Sequence, residues 1–454
     1  MKSWPYAAFV VAWCVVARVA GQSTAVDKLF DAYWKADSAA EAARAADRLI
    51  KAGVDFDAAW SKLKAGRSYK NERTGGFSWR YPASQGAVFD NGIEVPDDYD
   101  PARPWQVRVQ LHGGVNRPAP ARAALGTQSL EDSEGGADVP GGQGAGAGAP
   151  NLSRRRAPNR IPGENQIYIF PSGWADAQWW HANQVDNILR LVDRLKRHYN
   201  IDESRVYLTG ISDGGTGVYY MTMRESTTWS SFLPLNGSLK VLSNPDIKVE
   251  GELYPSNLTN KPLYIANGGR DPLYPVEHVQ THVDAMKQLG VNLVFSPQPA
   301  AGHDTSWWRW ERTPYERFVH AHAREAHPAK LSWQTERVDR FNRVHWLVID
   351  ALGAGSNDAR FPEVEIFARR APSGRVDVER NGNVVTALTR GVHEFTLLVS
   401  PEVFDMTQPI RVIVNGKAAY DGPARKDVAT LFKWAARDND RTMLYAAEIK
   451  VQVP

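Results

Sequence analysis

The sequence predicts an α/β protein: a mostly parallel sheet covered by helices on both faces, preceded by a small helical segment and followed by an all-β domain. Three observations carry this reading. Between residues 77 and 328, short apolar runs alternate with amphipathic stretches, the rhythm of a sheet buried on both sides. After Pro328 the helical period gives way to short β-rich runs, with Asn381-Gly382 and Asn415-Gly416 at hairpin positions. Finally, Tyr207-Leu208-Thr209-Gly210-Ile211-Ser212-Asp213-Gly214-Gly215 sets Gly-x-Ser-x-Gly between an apolar strand and a helix-compatible segment, Thr216 to Arg224. The five-residue pattern is weak alone; the strand before it and the helix after it supply the context it needs.

The totals narrow the possibilities. At 454 residues, 43% apolar and 23% charged, the chain is long enough for two domains with an ample core. A net charge of +3 with scattered basic residues leaves no footprint for nucleic acid. Met1-Lys2, an apolar run from Tyr6 to Ala17, then Arg18 and small residues predict a secretory signal over residues 1–21, and so a secreted or periplasmic protein. That run is shorter than the roughly 20 residues a membrane span needs, so no stable insertion is expected once it is cleaved. Cys14, the only cysteine, lies inside it, and the processed chain would rely on its core without disulfides.

The elements follow in order. Residues 22–76 read as helical, with Leu29, Phe30, Tyr33 and Trp34 at helical spacing, an alanine-rich stretch from Ala39 to Ile50, a stop at Gly53 and a further short helix from Asp57 to Leu63. Phe77 to Tyr81 alternates as a strand, and Gln106 to Leu111 is a strand that ends in His112-Gly113-Gly114. Residues 117–163 are rich in glycine, alanine and proline and read as a flexible surface insertion near the mouth of the site; Arg154-Arg155-Arg156 within it is a solvated run. Gln166 to Phe170 is a buried-type strand. Ala182 to Tyr199 is an amphipathic helix with Val185, Ile188, Leu189, Val192 and Leu195 on one face. Strands over Val206–Leu208, Ser231–Gly237, Pro262–Asp271 and Val291–Phe295 then alternate with helices, the later ones over Val276–Leu289 and Pro314–Arg324. Beyond residue 328, Arg343–Ile349, Glu363–Ala368, Arg375–Glu379, Val384–Leu388, Phe395–Val399, Ile410–Val414 and Ala446–Val453 predict a sandwich over 329–454.

Three side chains capable of joint chemistry fall just beyond strand ends: Ser212, Asp271 and His303. Serine is a poor nucleophile at neutral pH, so an imidazole must take its proton during attack and later return it to the leaving group. The imidazole in turn needs a carboxylate on its other nitrogen to fix the tautomer. Asp271, in Gly-Gly-Arg-Asp-Pro, is the expected acid, and Asp304 is a weaker rival. Negative charge on a carbonyl oxygen needs preset donors: the backbone N–H of Asp213, and a second from Gly114 or Val115 in the loop after Leu111. His112 would shape that loop, while His181 and His320 read as structural or surface residues.

Together His112-Gly113-Gly114, Gly210-Ile211-Ser212-Asp213-Gly214-Gly215, Asn267-Gly268-Gly269-Arg270-Asp271 and Gly302-His303-Asp304-Thr305-Ser306-Trp307-Trp308 resemble the α/β-hydrolase superfamily over residues 77 to 328. The nearest branch is similar to secreted bacterial esterases of the polyhydroxybutyrate depolymerase, feruloyl and acetyl-xylan esterase kind. The resemblance implies Ser212, Asp271 and His303 as a triad and an ester substrate, polymeric or carbohydrate-linked. The 117–163 insertion departs from the pattern at the second oxyanion donor, and the C-terminal domain looks like an accessory domain of some extracellular hydrolases. A serine peptidase of the prolyl-oligopeptidase type would need the same triad, but some 55 residues before the first strand cannot form even two propeller blades of about 40. A third possibility is a polysaccharide-binding protein with a degenerate hydrolase domain.

Of 16 tryptophans, Trp174, Trp179 and Trp180 follow one strand, and Trp307, Trp308 and Trp310 follow the expected base. Trp180 and Trp307 are expected to face substrate, with packing as the competing role. No cofactor motif is present and no metal site emerges: His278 and His282 share a helix face without a third ligand. Asn151, Asn236 and Asn257 open glycosylation sequons.

Overall fold

The computed structural model describes residues 25–83, 86–118, 163–354, 366–367 and 371–454. The expected signal, nearly all of the 117–163 insertion with Asn151, and most of the expected strand Glu363–Ala368 lie outside these residues.

Eight strands form the main sheet: β1 (Gly75–Pro82), β2 (Val88–Val95), β3 (Trp105–Leu111), β4 (Gln166–Phe170), β5 (Ile201–Ile211), β6 (Phe232–Leu235), β7 (Leu263–Gly268) and β8 (Leu293–Gln298). Their order is β1-β2-β4-β3-β5-β6-β7-β8. β1 pairs antiparallel with β2 and β2 with β4; every pairing from β4 to β8 is parallel. β3, β4, β6 and β7 are nearly all buried because helices cover both faces. β2 was hidden in the sequence because Asp90-Asn91-Gly92 breaks the alternation. The Asn91 amide is buried and paired with Asn187, with Nδ2 3.0 Å from Asn187 Oδ1.

Helices α1 (25–34), α2 (Ala39–Lys51) and α3 (Phe56–Ala65) precede the sheet. Ser38 and Asp55 cap the latter two, accepting from the N–H groups of Glu41 and Ala58. Within the sheet region come α4 (Ala182–His198), α5 (Asp213–Arg224), the single turn α6 (Leu239–Leu242), α7 (Val276–Gln288) and α8 (Trp308–Ala321). Side chains of α4, α5 and α7 share one core with the sheet, whereas α8 packs Tyr315, Phe318 and Val319 on Tyr207, Leu233 and Tyr264 of the opposite face. α8 begins six residues before the expected Pro314, which sits inside it.

The C-terminal region stacks a four-stranded antiparallel sheet on a five-stranded one, and their inner faces form a separate core. Asn415 and Gly416 both have positive φ (51° and 83°), the backbone of a two-residue hairpin turn between Val414 and Lys417. Two strands not read from sequence, Lys330–Thr335 and Lys417–Gly422, complete the larger sheet. A helix, α9 (Val428–Asp438), is added to the β domain, and its Leu431, Phe432 and Ala435 pack on Phe30, Tyr33, Leu49 and Leu63. The N-terminal helices thus dock on the C-terminal one.

A dense seam joins the β domain to the sheet domain. Arg324 Nη2 donates to Asp440 Oδ2 at 2.6 Å, Arg224 Nη1 donates to Glu336 Oε2 at 2.8 Å, and Arg441 holds Glu203. The Asn257 side chain pairs with the strand edge at Gln334, its Nδ2 donating to the Gln334 carbonyl and its Oδ1 accepting the Gln334 N–H. Asn257 and Asn236 are both fully buried with engaged amides, so neither sequon can carry a glycan. Among the described residues no helix is long and apolar enough to cross a membrane.

Candidate active site

The register brings Leu111 beside Gly210, Ile211 beside Leu235, Leu235 beside Ala266 and Gly268 beside Gln298, so five strand ends share one rim. Ser212 leaves β5 with φ 57° and ψ −121°, a strained conformation for a non-glycine residue, and α5 begins at the next residue. The turn tolerates this only because its neighbours lack side chains. A Cβ on Gly210 would lie 2.3 Å from the Gly214 carbonyl oxygen, and one on Gly214 would lie 2.2 Å from that of Leu111. The Asp213 N–H is the first of the helix and has no intrahelical acceptor.

His303 and Asp271 meet Ser212 at this rim. His303 Nε2 is 2.8 Å from Ser212 Oγ, and His303 Nδ1 is 2.6 Å from Asp271 Oδ2. The other Asp271 oxygen accepts the N–H groups of Leu273 (2.8 Å) and Tyr274 (3.0 Å), which fixes the carboxylate plane. Asp304 turns away: its carboxylate accepts from the backbone of Gly302 and Ser306, and the Ser306 bonds hold its pKa below the usual range. The structure therefore sets Asp271, and not Asp304, against the imidazole.

The loop after β3 closes over Ser212. A Cβ on Gly113 would sit 2.9 Å from Ser212 Cβ, so only glycine allows the loop this close. Gly114 takes φ +70°. The Val115 expectation is corrected: its N–H donates to Asp213 Oδ2 at 3.0 Å and its side chain is fully buried, so this donor is engaged within the protein. His112 shapes the turn. Its Nε2 accepts the Gly173 N–H at 3.1 Å, which leaves Nδ1 to donate to the Gly113 carbonyl at 2.8 Å, and burial lowers its pKa.

The tryptophan expectation is also corrected. Trp180 is 1% and Trp307 0% exposed, and they belong to cores on opposite faces of the sheet. Large apolar rings that follow strand ends fill the space between helix and sheet before they line an open rim. Trp310 is the exposed member of the second group, at 51%, with its Nε1 donating to Gln298 Oε1.

Two residues near Ser212, His303 and Asp271 escaped the sequence reading. Asn236, at the end of β6 with φ 46°, donates from Nδ2 to the Asp304 carbonyl (2.8 Å) and accepts the Gly268 N–H (3.2 Å), tying the His303 loop to β7. An asparagine just past a strand and before glycine is the signal for such a left-handed position. Tyr274 lays its ring edge-on to the His303 imidazole, centroids 5.1 Å apart, with its hydroxyl 3.5 Å from Asp213 Oδ1. Burial and Asp213 push its pKa up to about 12. Its signal was an aromatic three positions after the expected acid.

No family model matches the chain. It is 25% identical over 160 residues to a bifunctional acetylxylan esterase/xylanase of Neocallimastix patriciarum, a stretch that covers 35% of this chain and 19% of that protein's length. Among solved structures, a thermostable esterase is similar at TM-score 0.38 and 17% identity, over 55% of this chain and 63% of that one. Thermogutta terrifontis esterase 2, phosphoramylated by tabun, is similar at TM-score 0.39 and 14% identity, over 55% and 96%. An acylaminoacyl peptidase of Pyrococcus horikoshii is similar at TM-score 0.39 and 13% identity, over 61% and 45%. With the strand order β1-β2-β4-β3-β5-β6-β7-β8, an antiparallel edge, and a Gly-x-Ser-x-Gly turn between β5 and α5, this chain has the α/β-hydrolase fold.

Proposed function

We propose that the protein is an exported serine carboxylesterase that hydrolyses carbohydrate-linked acetyl or feruloyl esters, or a polyester, through an acyl-enzyme on Ser212. The observation that carries this reading is the continuous hydrogen-bonded line from Ser212 Oγ through His303 to Asp271. In the first half-reaction His303 Nε2 takes the serine proton as Oγ attacks the ester carbonyl carbon, while Nδ1–H stays on Asp271 and stabilises the imidazolium. The carbonyl oxygen becomes an oxyanion facing the N–H groups of Asp213 and Gly114. Losing one such donor costs about 3 kcal/mol of transition-state stabilisation.

The intermediate collapses when Nε2 returns the proton to the leaving alkoxide, releasing the alcohol. Water then gives its proton to Nε2 and attacks the acyl carbon. The second intermediate expels the acid and restores the serine hydroxyl. The carbohydrate-linked class is supported by the acetylxylan esterase likeness over a third of the chain. The exposed Leu273, beside the triad acid, offers an apolar surface to an acyl or alcohol group.

A screen of one purified sample tests the reading. Acetylated xylan, a feruloyl sugar ester and a short polyester are incubated beside peptide anilides, and acid or amine release is followed. Release from at least one ester and from no anilide is the expected outcome. Anilide cleavage with all esters intact would replace the esterase with a peptidase.

A further inference from the structure

We propose that Tyr274 is a further catalytic residue, whose phenol O–H hydrogen-bonds the negatively charged oxygen of the tetrahedral intermediate on Ser212. The inference rests on the serine-esterase reading above and extends it by one side chain. The loop after β3 offers fewer free donors than its length suggests, because the Val115 N–H is bonded to Asp213 Oδ2. The same carboxylate stands one residue from the nucleophile. An oxyanion forming there faces a fixed like charge unless a donor lies between them. Tyr274 stands beside that carboxylate: its hydroxyl is 3.5 Å from Asp213 Oδ1, and its ring lies against the His303 imidazole that contacts Ser212 Oγ. The long contact to Asp213 is weak by geometry, so the O–H can turn to a stronger acceptor when one appears.

Three contacts hold the side chain where this can happen. Its backbone N–H is bonded to Asp271 Oδ1 at 3.0 Å, so the residue moves with the triad acid. Its ring stands at 82° to the His303 imidazole, which leaves the hydroxyl pointing past the base toward Asp213. Part of the ring packs on the main core, which limits its rotation. The phenol remains protonated throughout: burial and the Asp213 carboxylate both favour the neutral form, and no proton moves in the step proposed. The bond forms to the oxyanion as the carbonyl π pair localises on oxygen, and it breaks as that pair returns when the leaving group departs.

The test compares full-length wild type with Tyr274→Phe, which keeps the ring on His303 and removes only the O–H. Two quantities are read: kcat and KM for p-nitrophenyl acetate, and the second-order rate at which a fluorophosphonate probe labels Ser212. The phosphonyl oxygen develops charge in the same place, so both rates report the donor without depending on the natural ester. Tyr274→Phe is expected to lower kcat and the labelling rate by on the order of 10²-fold, with KM within about twofold and the acidic limb of kcat/KM unmoved. Replacing Tyr274 with 4-aminophenylalanine, which restores an N–H donor on the same ring, is expected to recover much of both rates. Wild-type labelling and turnover in Tyr274→Phe would overturn this inference and leave the nucleophile assignment standing. An unlabelled Ser212 in the wild type would remove the esterase reading, and this one with it.

Discussion

At the rim of the main sheet, a carboxylate, an imidazole and a hydroxyl stand in line, and the His303 side chain keeps 20% of its surface open to solvent. At the seam with the β domain, Arg324 and Asp440 are wholly enclosed, and Arg224 and Glu336 nearly so. Both places use buried carboxylates, yet the rim sets its carboxylate against an imidazole and a hydroxyl, and the seam sets its own against cations. The imidazole at the rim lies between the Ser212 hydroxyl and the Asp271 carboxylate, and one side of it is open. Guanidinium groups at the seam stay charged, and the Asp440 oxygens are filled by Arg324, Lys196 and Thr442, holding its pKa well below the usual carboxylate range. A buried carboxylate thus fits the proposed chemistry where its partner is an imidazole open to solvent, and fits adhesion where its partners are enclosed cations.

The largest effect should separate the two regions outright. Ser212→Ala is expected to lower turnover by on the order of 10⁴-fold or more while the midpoint of thermal unfolding stays within a few degrees. Enzyme assays beside calorimetry check this, and a large loss of stability would blur the distinction. Asp440→Ala should do the reverse: it leaves Arg324 and Lys196 buried without their carboxylate, a cost of about 3–5 kcal/mol, while any folded fraction keeps its specific activity. Urea titration measures it, and the double variant Arg324→Met/Asp440→Leu should be less destabilised than Asp440→Ala alone. By the same logic, ending the chain after Pro328 strands Glu203, Arg224 and Lys196 at an exposed apolar face. No soluble, active fragment is expected. Recovery of one would show that the β domain is an accessory.

Acid should weaken the seam next. His327 is buried, and desolvation outweighs the pull of Glu402 so that its pKa falls from 6.5 to about 4. His345, fully enclosed near Lys261, Arg324 and Arg343, is also held well below its ordinary value. The unfolded chain binds these protons at about pH 6.5 and the folded chain refuses them. Stability is therefore complete above that pH and is lost as pH falls from about 6.5 toward 4, by on the order of 1 kcal/mol per pH unit for each ring. Unfolding temperatures recorded from pH 7.5 to 4.5 should decline along this path, and less steeply in His327→Gln. The smallest effect belongs to a charge pair outside both regions. Lys330 and Glu379 lie 3.0 Å apart but largely in water, so Lys330→Ala should shift the urea midpoint by less than about 0.5 kcal/mol.

The rim was legible because each part leaves a local mark: Gly210 and Gly214 around a serine, an aspartate past β7, a histidine past β8. Strand ends and turn residues are short-range features, and the parallel register aligns them without further information. The seam was not legible. Arg324, Glu203 and Lys196 look like ordinary surface charges in the sequence, and only the docking of residues more than 100 positions away buries them. The same limit explains Trp180 and Trp307, whose neighbours in the chain gave no clue to the core that covers each. Asn236 and Asn257 show it in another form, since a sequon is local but burial is not.

The proposed mechanism requires Ser212 Oγ to take the acyl group. Rapid mixing of the protein with p-nitrophenyl acetate, followed by acid quench and peptide mass analysis, tests this directly. The expected result is a burst of nitrophenol matching the enzyme concentration, with an acetyl group on the peptide that contains Ser212. A burst with the acetyl group on another residue, or turnover that persists in Ser212→Ala, would contradict it.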